Sequence, residues 1–240
     1  MLKIHFLSKV INSTFISLKQ QYYSSTRGKT KLLENGLLIA FEGIDGTGKT
    51  SIITALLKCF TEDGFGVVTF KEPTNETEAG RKIRSSYVEG RVSIEEELQW
   101  FIEDREWNVH ERILPSLAEK KIVLLDRYFF STACYQGARM NNDWKSILET
   151  NRAKFPEPDL TIIINVDPRI SQQRIIKERQ KSNSFEELEY QRNVQRLFLE
   201  IVEQDTIGNY LLINGEEPLA DIIETLYFRI KQFIEEREKE

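Results

Sequence analysis

Gly43-Ile44-Asp45-Gly46-Thr47-Gly48-Lys49-Thr50 fits the pattern G-x-x-x-x-G-K-[ST]. The apolar run Leu37-Leu38-Ile39-Ala40-Phe41 precedes it and reads as a buried strand. The segment from Ser51 to Lys58 follows and reads as a helix. A chance turn is the plainer reading, but strand before and helix after are the context a phosphate cradle needs. Its glycines let the backbone curl until successive N–H groups face one anion, and the helix N-terminus adds partial positive charge. Gly43, Ile44, Asp45, Gly46, Thr47, Gly48, Lys49, Thr50 and Ser51 are therefore the nucleotide-phosphate candidates. Lys49 is placed to reach the β- and γ-phosphates of a nucleotide, and the Thr50 hydroxyl to ligate Mg²⁺.

Further apolar runs follow at Val67–Lys71, Lys121–Asp126, Leu160–Val166 and Tyr210–Ile213. Helical patterns fill the gaps near 76–88, 94–120 (bent near Pro115), 169–179, 186–206 and 218–237. Strands that read as continuous apolar runs and alternate with helices predict a parallel sheet buried on both faces. The expected fold is α/β, a phosphate-loop NTPase-type three-layer sandwich: a five-stranded parallel sheet with helices on both faces. Such sheets bind ligands at the carboxyl ends of their strands, where the loop at Gly43, the Glu72 loop and Asp126 all fall. Asp126 ends an apolar strand, so it is the second metal-side candidate beside Thr50.

The 240 residues suit one domain, with an apolar fraction of 40% to fill its core. A net charge of −5 does not point to nucleic acid as a partner. Cys59 and Cys134 lack metal-ligand spacing and suit a reducing, intracellular, cytoplasmic setting. With only His5 and His110, a histidine-based hydrolase has almost no material. No apolar run is long enough to span a membrane, so no membrane partner is expected. Residues 1–36 differ from the rest, with six basic residues against one acid, Glu34, and many hydroxyls. They read as an N-terminal extension, either a mitochondrial targeting segment or a disordered tail. Residues 37–240 then form the main domain.

The longer stretch from Phe41 to Thr50, together with Asp126-Arg127-Tyr128-Phe129-Phe130-Ser131-Thr132-Ala133-Cys134-Tyr135-Gln136-Gly137, resembles the thymidylate kinase family. Its signatures are F-E-G-x-D-G-x-G-K and D-R-Y-x-x-S-x-x-A-Y-Q-G. Lys71-Glu72-Pro73-Thr74, Gly80 to Arg84, Pro158 to Thr161 and Phe185 to Tyr190 extend the likeness over Leu37 to Glu240. The resemblance implies ATP-dependent phosphorylation of dTMP to dTDP, with Mg²⁺, by a homodimer. It implies that Phe101 stacks on the thymine ring and that Arg105, one turn on, hydrogen-bonds the base. Thr132 and Gln136 would line the base pocket, and Tyr135 would crowd the sugar 2′ position. Arg127 would hold the acceptor phosphate, with Asp45, Pro73 and Arg84 near it. Taken singly, Phe101 suits a core and Arg105 a solvated helix charge.

Several positions depart from the family. Cys134 replaces an alanine, Phe130 a residue often polar, and Asn193-Val194-Gln195 the pattern Arg-Val-Arg. Asn183-Ser184 stands in place of Asp-Arg. Gly46 occupies a position where some members carry an arginine that stabilises the transferring phosphoryl group. That charge would then come from the lid segment that the resemblance implies at about 177–186 and the helix end before it, from Arg179 in preference to Arg174, with Lys177 and Lys181 as further candidates. Phosphoryl transfer runs on positioning and positive charge, which explains the lack of a catalytic histidine. Two rivals stay open: a kinase for UMP, dUMP or a nucleoside, and a non-catalytic nucleotide-binding protein.

Overall fold

Five apolar runs become strands: β1 Leu37–Glu42, β2 Val67–Lys71, β3 Ile122–Asp126, β4 Leu160–Asn165 and β5 Tyr210–Asn214. All pair in parallel, in the order β2-β3-β1-β4-β5. The computed structural model describes residues 33–179 and 185–239. Most of the N-terminal extension, the lid stretch with Lys181 and Asn183-Ser184, and the side chain of Arg179 lie outside the described residues.

The central strands β1, β3 and β4 are buried almost throughout, as a sheet covered on both faces demands. Strand parity sorts their side chains. Leu37, Ile39, Phe41, Ile122, Leu124, Ile162 and Ile164 pack under α1 (Lys49–Glu62) and α9 (Leu219–Arg237). Leu38, Ala40, Val123, Leu125 and Ile163 pack on the other face. There they meet α5 (Phe129–Gly137), α6 (Trp144–Arg152) and α8 (Phe185–Gln204). Leu33 is buried in the first of these layers, and the Glu34 N–H donates to Glu238, so the packed chain begins ahead of β1.

The remaining helices are α2 (Glu78–Glu89), α3 (Ile94–Asn108), α4 (Leu114–Ala118) and α7 (Pro168–Arg179). The single helix expected over 94–120 is in fact α3 and α4 joined by a π-helical turn, Val109–Ile113. Leu114 N–H bonds the Val109 carbonyl, five residues back. Pro115 lacks an N–H and crowds the carbonyl four residues before it, so the irregularity lies N-terminal to the proline rather than at it. Helices α5 and α6 were not expected. Every residue of α5 except Tyr135 is buried, so no amphipathic period marks it as a helix.

One polar node locks α6 to the far end of α8. Arg152 pairs with Glu157 and with Asp205 at 2.8 and 2.6 Å, and Tyr210 donates its hydroxyl to Asp205. Burial alone would raise the Asp205 carboxyl. Hydrogen bonds from Arg152, Tyr210 and the Gly208 N–H outweigh it and hold the group down at about 2. A depressed folded pKa means this node stabilises the fold above the ordinary aspartate range. That contribution is lost as pH falls from about 4 towards about 2. Asp205→Asn should therefore flatten the acid branch of a stability-versus-pH curve over that window. An unaltered acid branch would remove Asp205 from this role.

Candidate active site

The site forms where β1 and β3 end side by side, Phe41 in register with Asp126. Beyond β1 the chain turns through Gly43 (φ 133°), where a Cβ would stand 2.5 Å from the Ile164 carbonyl oxygen. Only glycine lets the loop pass β4 that closely. Gly48, in the left-handed region, opens α1. Ile44 and Thr47 are buried, Asp45 and Ser51 exposed.

Lys49 is folded back into this loop. Its ammonium donates to the Gly43 and Ile44 carbonyls at 3.0 and 2.8 Å and to Thr47 Oγ1 at 3.2 Å. Burial, and next the nearby Arg127 charge, push its pKa down to about 7. Thr50 Oγ1 donates to Asp126 Oδ2 at 2.8 Å, and Lys71 Nζ lies 3.4 Å from the same oxygen. The two expected metal-side oxygens are thus adjacent, and a cation already faces them.

Arg127 follows with φ 71°, its N–H donating to the Phe41 carbonyl. Its guanidinium meets the Gly43 carbonyl and Ser131 Oγ at 2.9 Å each, and Asp45 Oδ1 at 2.6 Å. Burial opposes its charge, but Tyr135, Asp45, Glu42 and Asp126 outweigh it and hold the guanidinium firmly protonated. The Tyr135 hydroxyl accepts from the Asp45 N–H at 3.1 Å, and its ring lies under Arg127. Arg127, Tyr135 and the loop of residues 43–50 are therefore one contact network.

The base-pocket candidates gather on α3 and α5. Phe101 is buried but belongs to neither apolar layer of the sheet. Arg105 is 1% exposed and far from a solvated charge. Its Nε donates to Glu72 Oε2 at 2.8 Å, Nη1 to Asn151 Oδ1 at 2.5 Å and Nη2 to Thr132 Oγ1 at 2.9 Å. Gln136, one turn beyond Thr132, is buried with its Oε1 unpaired. A buried acceptor left unpaired calls for a donor, from a water or from a ligand.

Pro73 and Arg84 take a different place. They line a cleft of about 270 Å³ together with Thr50, Lys71 and Asp126, on the α1 side. Arg84 donates to the Pro73 carbonyl. Neighbouring residues on α3 hold this loop: Asp104 accepts from Thr74 and Thr77, while Arg105 grips Glu72. Gly80 is required here because a Cβ would sit 2.5 Å from Asp104 Oδ1 and 2.4 Å from the Thr74 carbonyl.

At the lid side, Arg174 donates to the Gly215 carbonyl at 3.0 Å. A Cβ at Gly46 would come within 2.6 Å of the Ser171 carbonyl, so α7 fills the space an arginine at 46 would need.

Sequence reading missed Glu42, Glu72, Asp104, Asn108 and Asn151 as site residues. Glu42 is fully buried, and burial pushes its carboxyl up to about 7 against bonds from Ser131 and the charge of Arg127. Burial likewise raises Glu72, which Arg105 and Asn108 partly offset. Both carboxylates sit at or just past the end of an apolar strand, the same signal that singled out Asp126. Nothing local marks Asn151.

A family model described as thymidylate kinase matches residues 41–225. The chain is 41% identical over 198 residues to the "Probable thymidylate kinase" of Archaeoglobus fulgidus, covering 82% of this chain and 96% of that one. It is 36% identical over 180 residues to the thymidylate kinase of Leptospira borgpetersenii, covering 73% and 85%. With that of Desulfotalea psychrophila it shares 39% over 165 residues, 68% and 80% of the two chains.

Proposed function

Since this chain belongs to the thymidylate kinase family and is a kinase that phosphorylates dTMP with ATP, we propose how its residues divide the work. The observation that carries the division is Arg127 braced on both the Gly43 carbonyl and Asp45. An arginine there meets the acceptor phosphate at the lip of the donor's cradle.

Lys49 leaves its three loop oxygens for the β- and γ-phosphates, and the loop amides of residues 43–51 bind the rest of the triphosphate. Thr50 and Asp126 are the residues that would hold Mg²⁺, a hard oxygen pair suited to that ion. Among the described residues no group of three or more His, Cys, Asp and Glu converges on a metal. The ion would therefore draw most of its ligands from phosphates and water. When bound, it neutralises charge that develops on the phosphoryl oxygens. Arg179 or Arg174, from the lid side, supplies the remaining positive charge, and closure of the 177–186 segment excludes water.

The base is read by complementarity. Arg105 offers a donor to the thymine O4, and the orphaned Gln136 Oε1 accepts from N3–H. Cytosine presents a donor and an acceptor in the reverse order and is rejected on both counts. Phe101 covers the ring face, and Thr132 fixes Arg105. Pro73 and Arg84 border the acceptor phosphate from the cleft side.

The test is ADP release with ATP and Mg²⁺, offering dTMP, dUMP, UMP, CMP and thymidine in parallel. Strong preference for dTMP is expected. Equal turnover of CMP would sink the Arg105–Gln136 reading, and nucleotide binding without transfer would favour a binding protein. In the same assay Tyr135→Ala should raise UMP use relative to dTMP by at least about tenfold, since a steric filter is being removed. An unchanged ratio would take Tyr135 out of that role.

A homodimer is also part of this reading. Tyr87 and Val88 on α2 are exposed, and Trp100 and Trp107 on α3 are half-buried, which leaves apolar surface for a second copy. Light scattering on the purified chain decides it. Among the described residues no helix is long and apolar enough to cross a membrane. The localisation reading is intracellular and cytoplasmic, with mitochondrial targeting by the first ~30 residues as its alternative, and imaging of the tagged chain would distinguish the two.

A further inference from the structure

Glu42 closes β1 with its side chain entirely buried. Parity turns it towards α5, opposite to the face on which Asp126 meets Thr50. Helix α5 starts without a side-chain cap, because its N-cap residue is Tyr128. Glu42 supplies the cap from a distant strand: Oε1 accepts the Tyr128 N–H at 2.8 Å and Oε2 accepts the Ser131 hydroxyl. Ser131 Oγ in turn accepts from Arg127 Nη1 at 2.9 Å, and that nitrogen also bonds the Gly43 carbonyl. A hydroxyl has one proton. With that proton committed to Glu42, the lone pairs of Ser131 are left facing the guanidinium.

We propose that Glu42 is a positioning residue for the acceptor phosphate, acting through Ser131 to hold Arg127 against the phosphate loop. The proposal rests on the reading of Arg127 given above. The same carboxylate anchors the start of the helix that carries Thr132, Tyr135 and Gln136, so the donor cradle and acceptor wall share one support. Glutamine cannot replace it. Glu42 satisfies two donors with two oxygens, and an amide has one. Whichever way the amide turns, either the Tyr128 N–H or the Ser131 hydroxyl meets an NH₂ group. When Ser131 meets it, its proton swings towards Arg127 and the guanidinium loses its acceptor.

The test uses the full chain and measures KM for dTMP and for ATP separately, with calorimetric affinities where turnover is slow. The variants are Glu42→Gln, Ser131→Ala, Arg127→Ala and each of the first two combined with the third. Glu42→Gln should raise KM for dTMP about tenfold, the worth of one charge-assisted hydrogen bond, and leave KM for ATP nearly unchanged. Ser131→Ala, which keeps the Tyr128 cap, should shift dTMP in the same direction. In the Arg127→Ala background Ser131→Ala should add nothing further, and Glu42→Gln should add only what the loss of the Tyr128 cap contributes. Equal shifts for ATP and dTMP, or full additivity in the double variants, would overturn the positioning role. So would a shift with Arg127→Ala and none with Glu42→Gln or Ser131→Ala. An unchanged dTMP KM in Arg127→Ala would overturn the acceptor reading itself, and the proposal with it. Should Glu42→Gln not fold, Ser131→Ala and its double variant decide the matter alone.

Discussion

Lys49→Ala is expected to lower kcat for dTMP phosphorylation by about a thousandfold or more, the scale for removing a charge that stabilises a transferring phosphoryl group. The fold should survive. Burial holds the Lys49 amine down at about 7, so the folded protein already bears a cost for keeping that ammonium inside. The oxygens it now satisfies belong to buried residues, Gly43, Ile44 and Thr47, and the space left by the side chain can admit water to them. Thermal unfolding should therefore shift little, or upward, while turnover collapses. Stability is traded for a charge that function needs. An active Lys49→Ala enzyme would end the donor assignment, and an inactive one that no longer unfolds cooperatively would show a structural role instead.

Arg105→Met is expected to damage both stability and substrate choice. It leaves the Glu72 carboxylate, 2% exposed, without its ion-pair partner. Stranding one member of a buried pair costs about 3–5 kcal/mol. Burial already raises the Glu72 pKa, so the stranded group takes up a proton readily and the loss should shrink as pH falls. Changing Glu72 to Met as well removes the stranded charge and should restore most of the stability. It should not restore the preference for dTMP over CMP, because the donor proposed for the base is gone. Urea unfolding and the acceptor panel, run on both variants, separate the two effects. Recovery of selectivity in the double variant would place Arg105 outside the base pocket.

Much of this site was legible because it is local. The phosphate loop needs consecutive residues with particular backbone freedom, and that requirement is written into Gly43 to Thr50. Asp126 was legible because a carboxylate ending an apolar strand breaks the pattern of the strand. The parallel sheet was legible because β1, β3 and β4 are buried on both faces and carry no alternation. Helix α5 was hidden for the same reason: a helix buried nearly all round has no period to read. The π turn at 109–113 was half visible, since Pro115 announced a break but not the side on which the ladder would adjust.

By itself, then, the sequence determined the fold class and the phosphate cradle, while the kind of acceptor followed from its likeness to the thymidylate kinase family. Only the tertiary structure decided how the pocket is wired. Asn151 reaches Arg105 across 46 positions, Glu72 across 33, and Glu42 reaches Ser131 across 89. A buried charge must be matched by whatever partners the packing brings within about 3 Å, and chain separation places no limit on where they come from. Local patterns record what the backbone has to do at one place. Which polar groups end up sharing a dry pocket follows from how the layers close over the sheet.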